Sequence, residues 1–251
     1  MAETQKQKQG TAAQRKRRGH VLIYVAALLA VTLLAFVGTR LKGWQEQRQE
    51  TRLIVLVNPW NYIDDTDYKA KLADIGDGMQ LDKTCAAKLR AMLADCAAAG
   101  YDARVLSAYR SREEQEQLFQ QQVERLISDG AEPETAMALA AESVARPGTS
   151  EHELGLAVDL VDGAHPALDE SQAETGAQRW MMENAWRYGF ILRYPEGSAE
   201  LTGVAYEPWH YRYVGETTAW QIYSLGITLE EYSSLFYNEE AEIVFDEPEE
   251  G

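Results

Sequence analysis

Two histidines of this chain stand beside carboxylic acids in a pattern that could bind a metal ion. His152 precedes Asp159 by seven residues, and His210 follows Glu207 by three. Asp159 interrupts an otherwise apolar predicted strand, where an unpaired carboxylate would be costly to bury. Catalytic zinc commonly has three protein ligands and one open position for water. His152, Asp159 and His210 could therefore bind zinc, and Glu207 could take a proton from that water.

Each fragment also fits an ordinary structural role when it is taken alone. His152 could be a surface histidine beside a locally hydrogen-bonded Asp159, and His210 could be a core histidine in an aromatic strand. Arg110 stands at the start of a predicted helix, where positive charge opposes the helix dipole. It could be solvated there, or it could bind an anionic group of a substrate. Only the combination of three ligands, a base and a cation indicates a metallopeptidase.

The elements that must hold these residues alternate between helices and strands without a regular βαβ rhythm. Capping-box patterns at Ser111 and Ser171 predict helices that run to about Ser128 and Tyr188. Between His152 and Asp159 the chain must turn, and Gly155 supplies the conformational freedom for that turn. The predicted strands cover residues 104–108, 156–161, 190–194 and 209–214. This mixture predicts an α+β fold.

The two cysteines fall within one predicted helix, from about Asp82 to Ala99. Eleven residues of helix would separate the Cα atoms of Cys85 and Cys96 by roughly 16 Å. A disulfide requires a separation below about 7 Å. The sequence therefore predicts two packed free thiols.

The beginning of the chain is typical of a membrane anchor with its flanks. Residues 1–20 form a predicted basic cytoplasmic tail, and residues 21–38 are uncharged and mostly apolar. A run of this length can span a bilayer core, and the basic flank places the N-terminus inside. Residues 39–52 form a predicted stalk. We expect a single-pass cell-membrane protein with its catalytic domain outside the cytoplasm; a cleaved signal peptide is the alternative and would also export the domain.

The net charge narrows the range of partners. It is −16, which argues against nucleic acid, because binding phosphates requires a basic face. Residues 53–238 form the predicted peptidase domain. Residues 239–251 form a predicted acidic tail.

Several separated segments together resemble the zinc D,D-carboxypeptidases of the VanY type. That family is grouped with the D-alanyl-D-alanine dipeptidases and, more remotely, with the hedgehog fold. The matching segments are Ser-x-His-x-x-Gly-x-Ala-x-Asp at 150–159, Glu-x-x-His at 207–210, Ser-Ala-Tyr-Arg-Ser at 107–111 with Gln117-Leu118-Phe119, and Leu56-Val57-Asn58. The family often has glycine where this chain has Ala108. The resemblance extends over roughly residues 53–228.

The resemblance implies a fold and a role for each matching residue. The implied fold is a small antiparallel sheet flanked by helices, which agrees with the α+β prediction. Glu207 is the implied catalytic base, and Arg110 is implied to bind substrate and to assist catalysis. Gln117 and Ser150 match positions that line the pocket in relatives. The implied zinc ligands are His152, Asp159 and His210.

The implied activity is zinc-dependent removal of the terminal D-Ala from peptidoglycan stem pentapeptides. An L,D-carboxypeptidase, a dipeptidase or an endopeptidase acting on cell-wall peptides remains an alternative. A non-catalytic peptidoglycan-binding module is a further alternative, and the presence of Glu207 speaks against it. A purely structural anchor protein would give no reason for Asp159 in an apolar strand.

Overall fold

The computed structural model of the protein describes residues 52–237. The predicted basic tail, the predicted anchor at 21–38, nearly all of the stalk and the acidic tail lie outside the described residues. Within residues 52–237, no helix combines the length and the apolar character needed to cross a membrane.

The described residues form an α+β fold. The strands are β1 (Leu72–Gly76), β2 (Met79–Asp82), β3 (Ala103–Ser107), β4 (Ala157–Asp162), β5 (Phe190–Leu192) and β6 (His210–Tyr213). The α-helices are α1 (Lys83–Ala98), α2 (Arg112–Ser128), α3 (Pro133–Ser143), α4 (Gly176–Asn184), α5 (Ala199–Thr202), α6 (Glu216–Leu225) and α7 (Leu229–Tyr237). Short 3₁₀ helices occupy Ile63–Asp65, Glu151–Leu154, Glu170–Glu174 and Ala185–Tyr188.

A four-stranded antiparallel sheet in the order β3-β4-β6-β5 forms the centre of the domain. Its register places Asp159 of β4 opposite His210 of β6 on one side and opposite Ser107 of β3 on the other. Directly opposite residues of antiparallel strands have Cβ atoms about 5 Å apart. Strand pairing therefore brings together two residues that are 51 positions apart in the chain.

The two faces of β4 carry different kinds of side chain. Successive side chains of a strand point to opposite faces. Leu156, Val158 and Leu160 join the main apolar core, together with residues of α1. Asp159 lies on the other face, so the strand carries a carboxylate without placing it in that core. Cys85 and Cys96 of α1 belong to the same core and are free thiols, as predicted.

Helices α2 and α3 form a hairpin with a small core of its own. Its buried residues are Phe119, Val123, Ala136 and Ala140. The capping box predicted at Ser111 is present, with the side chain of Glu114 accepting from the Ser111 backbone N–H at 2.7 Å. This cap fixes the start of α2 directly after Arg110.

The predicted continuous helix from Ser171 is wrong. A 3₁₀ helix, Glu170–Glu174, comes first, and Asp169 caps it by accepting from the backbone N–H of Ser171. Thr175 is extended and caps α4 by accepting from the N–H of Gln178. Two competing caps on either side of Ser171 therefore separate a 3₁₀ helix from α4, and a second 3₁₀ helix, Ala185–Tyr188, completes the segment.

Candidate metal centre

Three side chains form a compact group suited to a metal ion. The potential ligand atoms of His152, Asp159 and His210 all lie within 4.8 Å of one another, and all three residues are buried. His152 Nε2 is 3.2 Å from Asp159 Oδ2, and His210 Nδ1 is 3.0 Å from Asp159 Oδ1. Two imidazole nitrogens and one carboxylate oxygen are ligands that zinc accepts. The predicted ligand set is therefore assembled in the structure.

Gly155 brings His152 back toward Asp159. His152 belongs to the 3₁₀ helix Glu151–Leu154, which ends at Gly155 with φ of 66°. This left-handed conformation is one that residues other than glycine rarely adopt. The chain turns there and enters β4. His152 and Asp159 therefore lie close together in space, although they are seven residues apart in the sequence.

The ring of His152 is oriented by a backbone contact. Its Nδ1 lies 2.6 Å from the carbonyl oxygen of Ala108, to which it can donate a hydrogen bond. That bond leaves Nε2 free to face the metal position. Outer contacts of this kind fix the tautomer of a ligating histidine.

Glu207 lies at the edge of the ligand group. Its Oε2 is 3.7 Å from His210 Nδ1, and its side chain is 21% exposed. The backbone N–H of Glu207 donates to Tyr194, and that of His210 donates to Glu207, which forms the turn before β6. Burial raises the pKa of Glu207 to about 7, although the charges of His210 and Arg110 act in the opposite direction. A carboxylate with this pKa can take and return a proton near neutral pH.

The raised pKa of Glu207 has a consequence for the stability of the metal-free chain. The pKa of Glu207 is about 7 in the folded chain and 4.5 in the unfolded chain. Protonated Glu207 therefore contributes fully to the free energy of unfolding below pH 4.5, and this contribution is lost as pH rises through 7. Glu207→Gln removes this loss. Near pH 8 we expect the variant to unfold with a free energy higher by about 3 kcal/mol, and near pH 5 we expect a much smaller gain. Urea unfolding at both pH values would measure this, and equal stabilities near pH 8 would contradict it.

Arg110 faces the same site from the start of α2. Its side chain is largely buried, and its Nε has no hydrogen-bond partner among the residues that the structure describes. Burial lowers its pKa, while the negative charges of Asp159 and Glu207 act against that shift. A guanidinium with unused donors in a cavity can bind an anionic group of a ligand.

A cavity of about 880 Å³ opens onto the metal group. Its wall includes Arg110, Ser150 and Glu207, together with the three ligand residues. Gln117 is not part of this wall and is exposed on α2. Two positions earlier, Gln115 is buried and donates to the carbonyl oxygen of Ala145 at 2.6 Å. Two helical steps rotate a side chain by roughly 200°, so the two glutamines face opposite sides.

The imidazole of His210 has a raised pKa in the metal-free chain. Burial would lower the pKa of His210, but hydrogen bonds to Asp159 and Glu151 raise it to about 9. Burial would likewise raise the pKa of Asp159, and the adjacent imidazoles instead hold it well below its usual range. A metal ion that binds here therefore displaces a proton from His210.

Sequence reasoning did not identify a buried charged network behind His210. Its members are Glu151, Arg193 and Arg212, and the side chains of all three are fully buried. The sequence could have indicated this network, because Arg193 follows the apolar strand β5 and Arg212 lies within the aromatic strand β6. Such residues are almost never fully buried unless they are paired.

Comparisons with known proteins identify relatives of this chain. The family model VanY, described as D-alanyl-D-alanine carboxypeptidase, matches residues 78–216. A D-alanyl-D-alanine carboxypeptidase of Enterococcus faecalis is 41% identical over 189 residues, which cover 75% of this chain and 68% of the relative.

Two solved structures share the fold. One is a mutant of the vancomycin-resistance D,D-pentapeptidase VanY from a VanB-type cassette, in complex with Zn(II). It is 38% identical with a TM-score of 0.65, and the match covers 72% of this chain and 98% of that one. The other is VanYB in complex with D-alanine-D-alanine, also 38% identical with a TM-score of 0.65, and the match covers 72% of this chain and 97% of that one.

Proposed function

The chain belongs to the VanY family of D-alanyl-D-alanine carboxypeptidases, and from that premise we propose that it removes the terminal D-Ala of peptidoglycan stem pentapeptides in a zinc-dependent reaction. The observation that carries the proposal is the buried group of His152, Asp159 and His210, whose ligand atoms lie within 4.8 Å of one another. Glu207 and Arg110 lie on the wall of the same cavity. The chain thus has the ligands, the base and the cation that zinc-dependent peptide hydrolysis requires.

The residues of this chain have separable tasks in the reaction. A zinc ion bound by the three ligands supplies Lewis acidity, which polarises a carbonyl and acidifies water. Glu207 accepts the proton of the attacking water and passes it to the nitrogen of the leaving D-Ala. Arg110 binds the substrate and offsets negative charge as it develops on the carbonyl oxygen. Release of D-Ala leaves a stem tetrapeptide.

The activity is tested by measuring D-Ala release from two peptides. We expect release from a stem pentapeptide that ends in D-Ala-D-Ala, and none from a tetrapeptide in which the last bond joins an L-residue to D-Ala. A chelator should stop the release, and added zinc should restore it. Release from the tetrapeptide alone would show that the enzyme is an L,D-carboxypeptidase instead. Release from neither peptide would contradict a carboxypeptidase activity of either kind.

Arg110→Ala is expected to lower kcat/KM for the pentapeptide by about 10²-fold, because a preorganised donor to developing charge contributes roughly that much. Arg104→Ala is the matched control, since Arg104 is exposed and pairs with Asp102. Steady-state D-Ala release measures both variants. A variant at 110 with wild-type kcat/KM would remove Arg110 from the mechanism.

We further propose that residues 21–38 anchor the protein in the cell membrane and that residues 39–52 join this anchor to a peptidase domain outside the cytoplasm. The uncharged run and the basic residues before it support this topology. Protease added to intact spheroplasts should digest the domain, and alkaline carbonate should leave the chain in the membrane fraction. A protected domain, or a shortened chain in the medium, would contradict the proposal.

A further inference from the structure

One oxygen of Glu151 is held by two arginines. Oε1 accepts from Arg193 Nε at 2.8 Å and from Arg212 Nη1 at 2.6 Å. All three side chains are 0% exposed. A charged group buried to this extent is normally paired, and here two cations hold one carboxylate in place.

The second oxygen of Glu151 points at a zinc ligand. Oε2 lies 3.5 Å from His210 Nε2, at the outer limit of a hydrogen bond. Neither atom has another hydrogen-bond partner among residues 52–237. Buried polar atoms are nearly always satisfied, so two unpaired atoms that face each other are each other's natural partners.

The opposite nitrogen of the same ring faces the metal position. His210 Nδ1 is 3.0 Å from Asp159 Oδ1 and 3.7 Å from Glu207 Oε2. His210 must therefore bind zinc through Nδ1 and carry its hydrogen on Nε2. His152 has the reverse arrangement, since its Nδ1 contacts the carbonyl oxygen of Ala108.

We propose that Glu151 is a positioning residue of the zinc site, which accepts the Nε2–H of His210 and so directs the Nδ1 lone pair at the metal. A carboxylate that accepts from a ligating histidine fixes the ring orientation and increases the basicity of the ligand. The inference rests on the zinc site of the proposed function, but it concerns metal affinity and not the substrate.

The network extends this positioning to distant parts of the domain. Arg193 donates to Glu230 of α7 at 2.9 and 2.6 Å, and Arg212 Nη2 donates to the carbonyl oxygens of Leu53 and Val55 at 2.9 and 2.8 Å. Both ends of the described chain thus hold the arginines that hold Glu151. Glu151 cannot turn away from His210 without breaking its own hydrogen bonds to Arg193 and Arg212, which these contacts hold in place.

Glu151→Gln tests the proposal because both sides of Glu151 present hydrogen-bond donors. The amide of glutamine has only one oxygen, so its NH₂ group must face either the arginines or His210 Nε2–H. In both orientations the NH₂ group, which is a donor, faces another donor. We expect the Kd of the full chain for Zn²⁺, measured by competition with a chelator, to rise 10–100-fold. In ¹⁵N spectra of the zinc-loaded protein, the His210 Nε2–H signal should be present in the wild type and lost or shifted in the variant.

Glu230→Gln is the matched control. It removes a carboxylate from the same network and contacts Arg193, but it does not touch His210. We expect it to keep the wild-type Kd for Zn²⁺ and the wild-type His210 signal, even if the chain unfolds more easily.

Three outcomes would overturn the positioning role. Glu151→Gln could bind Zn²⁺ as tightly as the wild type, or Glu230→Gln could weaken binding equally. The wild-type spectrum could also place the His210 hydrogen on Nδ1, which decides the question even if Glu151→Gln does not fold. Tight Zn²⁺ binding without D-Ala release would contradict only the proposed function.

Discussion

Glu207→Ala is expected to retain zinc and to lose nearly all turnover of the pentapeptide. The three ligand residues keep their contacts in this variant, because Glu207 only borders the group at 3.7 Å from His210 Nδ1. The attacking water then loses the carboxylate whose pKa of about 7 suits it to accept the proton. General base catalysis commonly contributes 10²–10⁴-fold, so we expect kcat to fall by about 10³-fold. D-Ala release and the zinc content of the purified chain measure the two halves of this result.

Two comparisons make the Glu207 prediction specific. Glu200→Ala removes an exposed carboxylate from α5, outside the cavity wall, and should keep the wild-type kcat. Glu207→Asp keeps the charge but shortens the side chain, and we expect an intermediate rate. Full activity in Glu207→Ala would disprove its role as the base, and loss of zinc from that variant would make Glu207 a ligand instead.

Asp159→Asn is expected to remove zinc affinity and, with it, activity. The side chain keeps its size, but the negative charge that both imidazoles face is lost. Losing a direct ligand should cost more than the roughly 10–100-fold caused by losing an outer partner. The Kd for Zn²⁺ should therefore rise further than in Glu151→Gln. Chelator competition and D-Ala release with graded zinc would measure this.

The control for Asp159 lies in the same strand. Asp162 also belongs to β4, and its Oδ1 accepts a hydrogen bond from the backbone N–H of Ala164. Asp162→Asn should bind Zn²⁺ as the wild type does. Equal affinities in Asp159→Asn and the wild type would show that the carboxylate is not a ligand.

The metal site could be predicted because its residue types are rare and chemically specific. A carboxylate within an apolar strand needs a partner, and Gly155 marks the turn that places His152 beside it. The pairing of β4 with β6 could not be predicted by the same reasoning. It depends on a register between segments far apart in the chain, and it sets Asp159 opposite His210.

The other residues near the site could not be predicted, because the sequence does not determine the direction in which each side chain points. Glu151 is buried on the cavity wall, and Gln115 is buried behind it, where it donates to the carbonyl oxygen of Ala145; the sequence motifs single out neither residue. The resemblance implies a role for Gln117 because a motif identifies a residue type and a neighbourhood, whereas the helix decides which of two nearby glutamines faces inward. In the 3₁₀ helix, the directions of Glu151 and His152 likewise depend on what packs around them.

A hairpin was also absent from the sequence prediction, although a signal for it existed. Strands β1 and β2 are joined at Asp77 and Gly78, both with positive φ. Asp-Gly is a favoured pair for the tight turn of a two-residue hairpin. The flanking segments are short and only partly buried, so their alternation of apolar and polar residues is weak.

The hydrogen-bonded His210 allows folding and metallation to be separate events. The protonated imidazole already places a positive charge against Asp159, so the carboxylate does not stand uncompensated while the ion is absent. We therefore expect a newly made chain to reach its native shape in surroundings depleted of zinc and to mature when the ion arrives, exchanging one cation for another. We expect acidic surroundings to weaken zinc binding, because a higher proton concentration favours the protonated form of His210 over the metal-bound form.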